Sequence, residues 1–169
     1  MKKIFLMVGM PGSGKSYFIS HNRNFFEGSV KVVSRDKIRF ALLEDGDDYF
    51  AKEDDVWINF VREISDSLQN YDNTVVDATH LNKASRHKIL NAVSRYLGNV
   101  EINAIFMDTC LAVALKQNAE RTGRACVPPS ALRRMSYQLT IPTKEEGFNN
   151  IYRVKRLGDN QYVENMDDE

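Results

Sequence analysis

The sequence predicts an α/β fold, a parallel β-sheet flanked by helices on both faces, with a small helical lid. Apolar, strand-like runs alternate with amphipathic helical stretches from the first residues onward. That is the pattern of a chain wound through right-handed parallel crossovers. In addition, Gly9-Met10-Pro11-Gly12-Ser13-Gly14-Lys15-Ser16 fits G-x-x-x-x-G-K-[ST], the phosphate-binding loop, and lies between one such strand and one such helix. The third observation is a set of strands that end in a carboxylate or a helix cap, the edge at which open parallel sheets bind ligands.

The first strand, Ile4-Phe5-Leu6-Met7-Val8, is a continuous apolar run that reads as buried on both faces. Behind the loop, Tyr17 to Phe26 can continue as a helix. The glycine spacing of the loop lets successive amides point at one anion, and the helix start adds its positive dipole end. Lys15 can reach the outer phosphates and the Ser16 hydroxyl can ligate Mg²⁺. The bland alternative, a glycine-rich turn with a chance lysine, leaves the flanking strand and helix unexplained. The chain is therefore expected to bind a nucleoside triphosphate through Gly9, Gly12, Ser13, Gly14, Lys15 and Ser16.

Gly28 breaks the first helix, and Val30-Lys31-Val32-Val33 reads as the second strand. Ser34 can cap a short helix that sets Asp36 and Arg39 three apart on one face. Alone, Asp36 would be a capping or surface carboxylate. One strand from the phosphate loop, it reads instead as the group that takes a proton from an attacking hydroxyl, with Arg39 holding a phosphate of the acceptor. Residues 44–55 are acidic and read as a solvated loop and helix start, without the spacing of a calcium loop. Val56, Trp57, Phe60, Val61, Ile64 and Leu68 follow at helical spacing, and Trp57 reads as packing.

Thr74-Val75-Val76-Asp77 is the third strand, followed by Ala78, Thr79 and His80. Asp77 would face the same sheet end as Lys15. It could hold a Mg²⁺-bound water or orient Arg39, and the residues alone do not separate these roles. His80 is equally a loop hydrogen-bonder or an acid–base group, whereas His21 and His87 read as surface residues without a partner. Asn82 can cap the helix that carries Ile89, Leu90, Val93 and Leu97 and stops at Gly98. The strand Ile102–Met107 ends at Asp108-Thr109, a cap for the helix running to about Arg121. Asp108 is the rival second carboxylate, ranked below Asp77 because of that capping role. Arg121 and Arg124, around Gly123, could close over the triphosphate as a lid spanning about residues 117–130, or be a mere basic helix end. Pro128 can open a further helix with Leu132, Met135 and Leu139, and Ile151–Val154 gives a last strand. Residues 1–158 are expected to form one domain and residues 159–169 a frayed acidic tail.

Composition sets further bounds. Lysine plus arginine and aspartate plus glutamate each number 23, which counts against a broad electrostatic grip on nucleic acid but leaves a local groove open. Cys110 and Cys126 lack metal spacing and suit a reduced setting. The apolar run near the N-terminus is too short for a signal peptide or a membrane span, so the expected address is the cytoplasm, with no membrane partner.

Together these residues carry a resemblance. The phosphate loop, Ser34-Arg35-Asp36-Lys37-Ile38-Arg39, Val75-Val76-Asp77-Ala78-Thr79, Asn118-Ala119-Glu120-Arg121-Thr122-Gly123-Arg124 and Pro142-Thr143-Lys144-Glu145-Glu146-Gly147-Phe148 follow a familiar order and spacing. The chain resembles the polynucleotide 5′-hydroxyl kinase-like branch of P-loop kinases, which includes the kinase domains of phage and bacterial end-healing enzymes. The resemblance implies a P-loop NTPase fold, ATP as donor, Mg²⁺, and phosphoryl transfer to an acceptor hydroxyl. It implies Lys15, Asp36 and Arg121 as catalytic residues, with Asp36 the general base. Arg121 and Arg124 would belong to the lid, and Arg39, Asp77 and Thr79 to the acceptor site, with Asp77 bracing Arg39. A free aspartate titrates near ~4, a weak base that suffices when proton removal is late in a loose transition state. Two positions depart from the pattern: Gln117 stands where the phage-type kinase has a lid arginine, and His80 replaces an asparagine. No phosphatase or ligase domain is expected. The first reading is a 5′-hydroxyl polynucleotide kinase, the second a kinase of a small hydroxyl metabolite, and the third a nucleotide-dependent switch, since fold does not choose the acceptor.

Overall fold

Five consecutive apolar side chains, Ile4 to Val8, are all buried in strand β1 (Lys2–Val8) because the strand has a layer on each face. Ile4, Leu6 and Val8 point to one side and Phe5 and Met7 to the other, as a two-residue period requires. Burial of each such side chain contributes about 1.5–3 kcal/mol, so β1 is the anchor of the sheet. The computed structural model describes residues 1–157 and 160–166.

Besides β1, the sheet contains β2 (Val30–Ser34), β3 (Asn73–Asp77), β4 (Val100–Asp108), β5 (Asn150–Leu157) and β6 (Asn160–Asn165), in the order β2-β3-β1-β4-β5-β6. β1 to β5 are parallel, and β6 is antiparallel on β5. Three helices define the layers: α1 (Lys15–His21), α2 (Arg35–Leu42) and α3 (Glu53–Asn70). The remaining helices are α4 (Lys83–Ala92), α5 (Leu111–Ala119) and α6 (Pro129–Gln138). α3 lays Val56, Phe60, Ile64 and Leu68 on the Ile4–Leu6–Val8 face, and α1 lays Phe18 and Ile19 on the Phe5–Met7 face. This is the expected α/β architecture. The chain builds β2 and β3 on one side of β1, then β4 and β5 on the other, and this reversal opens a crevice at the carboxyl end of β1.

Several boundaries differ from the sequence expectation. α1 stops at His21 rather than Phe26, because Asn22 turns its backbone and side-chain amides onto the Phe18 carbonyl. The chain then tucks Phe25 and Phe26 edge-on against Phe5 and Phe18. Asn82 caps α4 in a reciprocal box with Ser85, yet the helix ends at Ala92 and tightens into a 3₁₀ turn at Ser94–Tyr96. Asp108-Thr109 does not cap α5; Cys110 occupies that position with no side-chain bond. Residues 160–165, expected in a frayed tail, form β6 because the β5 edge offers unpaired backbone groups. The tail acids Asp167, Asp168 and Glu169 lie outside the described residues. His21 is not without a partner: its ring stacks on Tyr17 at 3.8 Å.

One buried ion pair joins distant segments. Arg86 of α4, with no exposure, donates from Nε and Nη2 to the two carboxylate oxygens of Glu146, each at 2.7 Å. Its Nη1 also donates to the His80 and Thr140 carbonyls at 3.1 and 3.0 Å. Burial works to raise the Glu146 pKa, but the Arg86 bonds prevail and hold it below the usual carboxylate range. Removing one partner strands a buried charge. Glu146→Gln should therefore cost about 3–5 kcal/mol in urea unfolding, and an apolar double replacement, Arg86→Met with Glu146→Leu, distinctly less.

Candidate active site

The loop between β1 and α1 needs glycine at two places. Gly12 (φ 77°) packs so closely on α5 that a Cβ would sit 2.4 Å from the Ala114 carbonyl oxygen, and Gly14 (φ 93°) is also left-handed. The loop is tied to its surroundings by the Gly9 amide on the Thr79 carbonyl at 2.9 Å and the Thr109 hydroxyl on the Ser13 carbonyl at 2.9 Å. Thr109 thus serves the loop instead of capping α5, and Asp108 lies 3.8 Å from Arg153. Gln117, with its amide nitrogen toward the loop, donates to the Gly12 carbonyl at 2.5 Å and accepts from Arg156.

Lys15 folds back into its own loop, where Nζ donates to the carbonyls of Gly9 (3.0 Å) and Met10 (2.9 Å). Burial pushes its pKa down to about 8, with Asp77 opposing the shift, Arg121 adding to it and Asp36 opposing it. Lys15, Asp36, Asp77 and Arg121 therefore share one electrostatic neighbourhood. The Ser16 hydroxyl donates to Asp77 Oδ2 at 3.4 Å, and burial raises the Asp77 pKa against the pull of Lys15.

Around Asp36 the structure differs from the sequence expectation. The Ser34 hydroxyl accepts from the Lys37 amide at 3.4 Å and starts α2, which puts Asp36 and Arg39 side by side. Arg39 Nη1 and the Tyr49 hydroxyl both donate to Asp36 Oδ1, each at 2.8 Å. Asp36 Oδ2 has no bond among the described residues, and the side chain is 54% exposed. Asp77 does not brace Arg39, because it is turned to Ser16. The brace is Glu53, whose Oε2 accepts from Arg39 Nη2 at 2.7 Å. The Tyr49 ring lies over the Arg39 guanidinium at 4.3 Å. Burial, followed by the charge and hydrogen bond of Asp36, pushes the Tyr49 hydroxyl up to about 12, so it remains a donor.

Sequence reasoning missed Tyr49 and Glu53. Both lie in the acidic stretch read as solvated, and only the packing of α3 on α2 shows that Glu53 turns inward toward Arg35 and Arg39. Trp57 is half-buried, packed on the core, with Lys88 Nζ 4.3 Å from its ring centroid. Thr79 reaches the site through its carbonyl on Gly9. His80 (φ 43°) is buried, and its Nδ1–H donates to the Met7 carbonyl at 2.7 Å. Burial drives its pKa down to about 4, against the Met7 bond, so the ring is neutral and acts as a loop brace.

In the segment expected to form a lid, Arg121 Nη1 donates to the Ala125 carbonyl at 3.4 Å around a 3₁₀ turn, Gly123–Ala125. Arg124 Nη2 donates to the Glu44 carbonyl at 2.9 Å, which joins this segment to the loop that carries Tyr49. Among the described residues no group of three or more His, Cys, Asp and Glu gathers into a metal cage, and no helix is long and apolar enough to cross a membrane.

Residues 4–142 match the AAA domain family AAA_33. The chain belongs to that family. This AAA_33 chain is 26% identical to a protein in the structure of the Pnkp1/Rnl/Hen1 RNA repair complex, with a TM-score of 0.67. That match covers 82% of this chain and 44% of the other, so the chain spans less than half of that relative. A structure of the PezAT chromosomal toxin–antitoxin system of Streptococcus pneumoniae matches at 15% identity and TM-score 0.68, over 96% of this chain and 72% of that one. A gluconokinase from Sinorhizobium meliloti 1021 matches at 18% identity and TM-score 0.57, over 92% and 84%. These two show the shared fold. No curated protein matches the chain in sequence. The AAA_33 match and the RNA repair relative bear out the resemblance to polynucleotide kinase-like P-loop kinases.

The buried lysine makes nucleotide binding pH-dependent. Its pKa is lower in the folded chain than unfolded, so without nucleotide stability should rise with pH from about 8 toward 10.5. ATP affinity should do the opposite. It should fall as pH rises through about 8, because a neutral amine no longer attracts the phosphates. Calorimetric titrations across this range should show the decline, and Lys15→Met should bind weakly and flatten it.

Proposed function

We propose that the chain transfers the γ-phosphate of ATP to an acceptor hydroxyl, the 5′-hydroxyl of a polynucleotide. The observation that carries this is the Asp36 carboxylate. One oxygen is pinned by Arg39 and Tyr49 and the other is open, beside a phosphate loop whose lysine feels its charge.

The donor phosphates would lie against the amides of Gly9, Gly12, Ser13 and Gly14, with Lys15 leaving its carbonyl partners for the outer phosphates. The Ser16 hydroxyl and Asp77 carboxylate are hard oxygen donors in contact, a set that suits Mg²⁺ together with phosphate oxygens. Ser16 and Asp77 would hold Mg²⁺ there, and the ion would supply charge neutralisation to the donor phosphates. The free oxygen of Asp36 takes the proton from the acceptor hydroxyl as the acceptor's oxygen bonds to the γ-phosphorus. The bond to the β–γ bridging oxygen breaks, ADP leaves, and Asp36 returns the proton to solvent. Arg121 stabilises charge on the transferring group, and Arg124 closes the lid on the acceptor-side loop. Arg39, with both terminal nitrogens engaged, orients the base; contact with an acceptor phosphate would require it to share these bonds.

The 26% identity to a chain of an RNA repair complex supports the polynucleotide acceptor. A small hydroxyl compound is the second reading. It is favoured by the carboxylates of Glu44, Asp45, Asp47 and Asp48 around the same loop, which repel a polyanion.

Labelled ATP with 5′-hydroxyl oligonucleotides, alongside a panel of small alcohols, separates the two acceptor readings. Asp36→Asn should lower transfer by about 10²–10⁴-fold while ATP affinity holds. Transfer by that variant at the parental rate would end this assignment. Tyr49→Phe keeps the ring over Arg39 but loses one bond to the carboxylate, and kcat should fall about tenfold with the ATP KM unchanged.

A further inference from the structure

Net charge zero hides a strong polarity along the chain. Residues 121–143 contain Arg121, Arg124, Arg133 and Arg134 and no Asp or Glu, although acids and bases are equal in number overall. The acids gather instead in residues 44–55. α6 lies in the middle of the basic segment, and its two faces differ sharply. Leu132 is fully buried in a cluster with Met10 of the phosphate loop and Leu81 after β3, with Met135 packed against it. The Thr140 amide, just past the helix, donates to the Leu81 carbonyl at 2.8 Å and fixes this seat. The opposite face shows Ser130, Arg133, Arg134 and Tyr137, three and four residues apart and so on one stripe. Tyr137 is 90% exposed, the highest of the chain's exposed aromatic side chains. Neither arginine has an ion-pair partner among the described residues.

From this face we infer that α6 carries a binding surface for single-stranded nucleic acid, the length of acceptor strand beyond its reacting end. Arg133 and Arg134 would each meet a backbone phosphate, and the Tyr137 ring would stack on a base. Arginines without an ion-pair partner among the described residues, interleaved with an exposed aromatic ring in a segment without Asp or Glu, fit a polyanion with flat faces. They do not fit a neutral metabolite. The inner face of α6 seats on the phosphate loop, so its outer face is one helix, about 10 Å, from the site. A dinucleotide is too short to span both, whereas a longer strand can. The inference rests on the polynucleotide reading and names where that acceptor is gripped.

The test uses the full chain with labelled 5′-hydroxyl single strands of two residues and of about 12, within the site sizes of such proteins. Fluorescence anisotropy gives affinity as a function of salt, and transfer from ATP is measured in parallel. The long strand should bind much more tightly than the dinucleotide. In the Arg133→Glu, Arg134→Glu double variant its affinity should fall about 10–30-fold near 0.1 M salt, and the log–log salt slope should flatten by about 1.4, for two phosphates. Tyr137→Ala should weaken the long strand about fivefold or more without changing the slope. Dinucleotide phosphorylation and ATP affinity should be unchanged in both variants. Arg133→Gln with Arg134→Gln, which adds no charge, should give about half of the slope change or more and guards against a folding defect. Equal binding of long and short strands, or an unchanged salt slope in the double variant, overturns the surface even if transfer is efficient. Arginine-dependent binding without transfer upholds the surface and overturns the polynucleotide kinase reading. No binding of either strand overturns both.

Discussion

Burial of β1 on both faces is the constraint from which the site follows. A strand with hydrophobic layers above and below cannot shift register by one residue without exchanging Ile4, Leu6 and Val8 for Phe5 and Met7. Its end is therefore placed with little freedom, and the loop that follows emerges between β3 and β4. The amide of Gly9 on the Thr79 carbonyl and the hydroxyl of Thr109 on the Ser13 carbonyl then brace the loop from both neighbours. Lys15 can be buried because the same loop lends it two carbonyls, at the cost of a depressed pKa. An ammonium held this way is only partly compensated, which leaves it ready to exchange carbonyl oxygens for phosphate oxygens.

A second layer of polar contacts decides how the surroundings of Asp36 are built. Arg39 is 4% exposed and lies among Asp36, Tyr49 and Glu53, with the Tyr49 ring across its face. A charge so deeply placed is tolerable only when paired and hydrogen-bonded. The pairing has a directional outcome, since two donors converge on one oxygen of Asp36 and leave the other open. Farther out, Arg86, itself held by Glu146, donates to the His80 carbonyl, and His80 in turn donates to the Met7 carbonyl at the end of β1. The segment after β3 is thus clamped between the core and the phosphate loop, while β3 itself, paired with β2 at Ser34 and Asp77, presents Asp77 to Ser16.

Residues 121–143 are basic and residues 44–55 are acidic, and the Arg124 bond to the Glu44 carbonyl joins the two segments. Polarity of this kind is invisible in a net charge, because equal and opposite clusters cancel in the sum while their local fields do not. The orientation of α6, with Leu132 inward on Met10 and Leu81, turns its arginines and Tyr137 toward solvent.

The fold class, the phosphate loop and the gathering of Lys15, Asp36 and Asp77 at one end of the sheet were legible in the residues. These rest on local signals: two-sided apolar runs, a glycine spacing, and side chains three apart on one helix. Helix ends were less legible. α1 stops at His21 because Asn22 and the aromatic residues after it find tertiary partners, which propensity does not see. Tertiary structure alone decided that Glu53, fourteen residues from Arg39, is its brace, that Thr109 serves Ser13 rather than α5, and that residues 160–165 extend the sheet. In each case a polar group or sheet edge had to find a partner upon burial, and which partner lay within reach was set by packing between segments far apart in the chain.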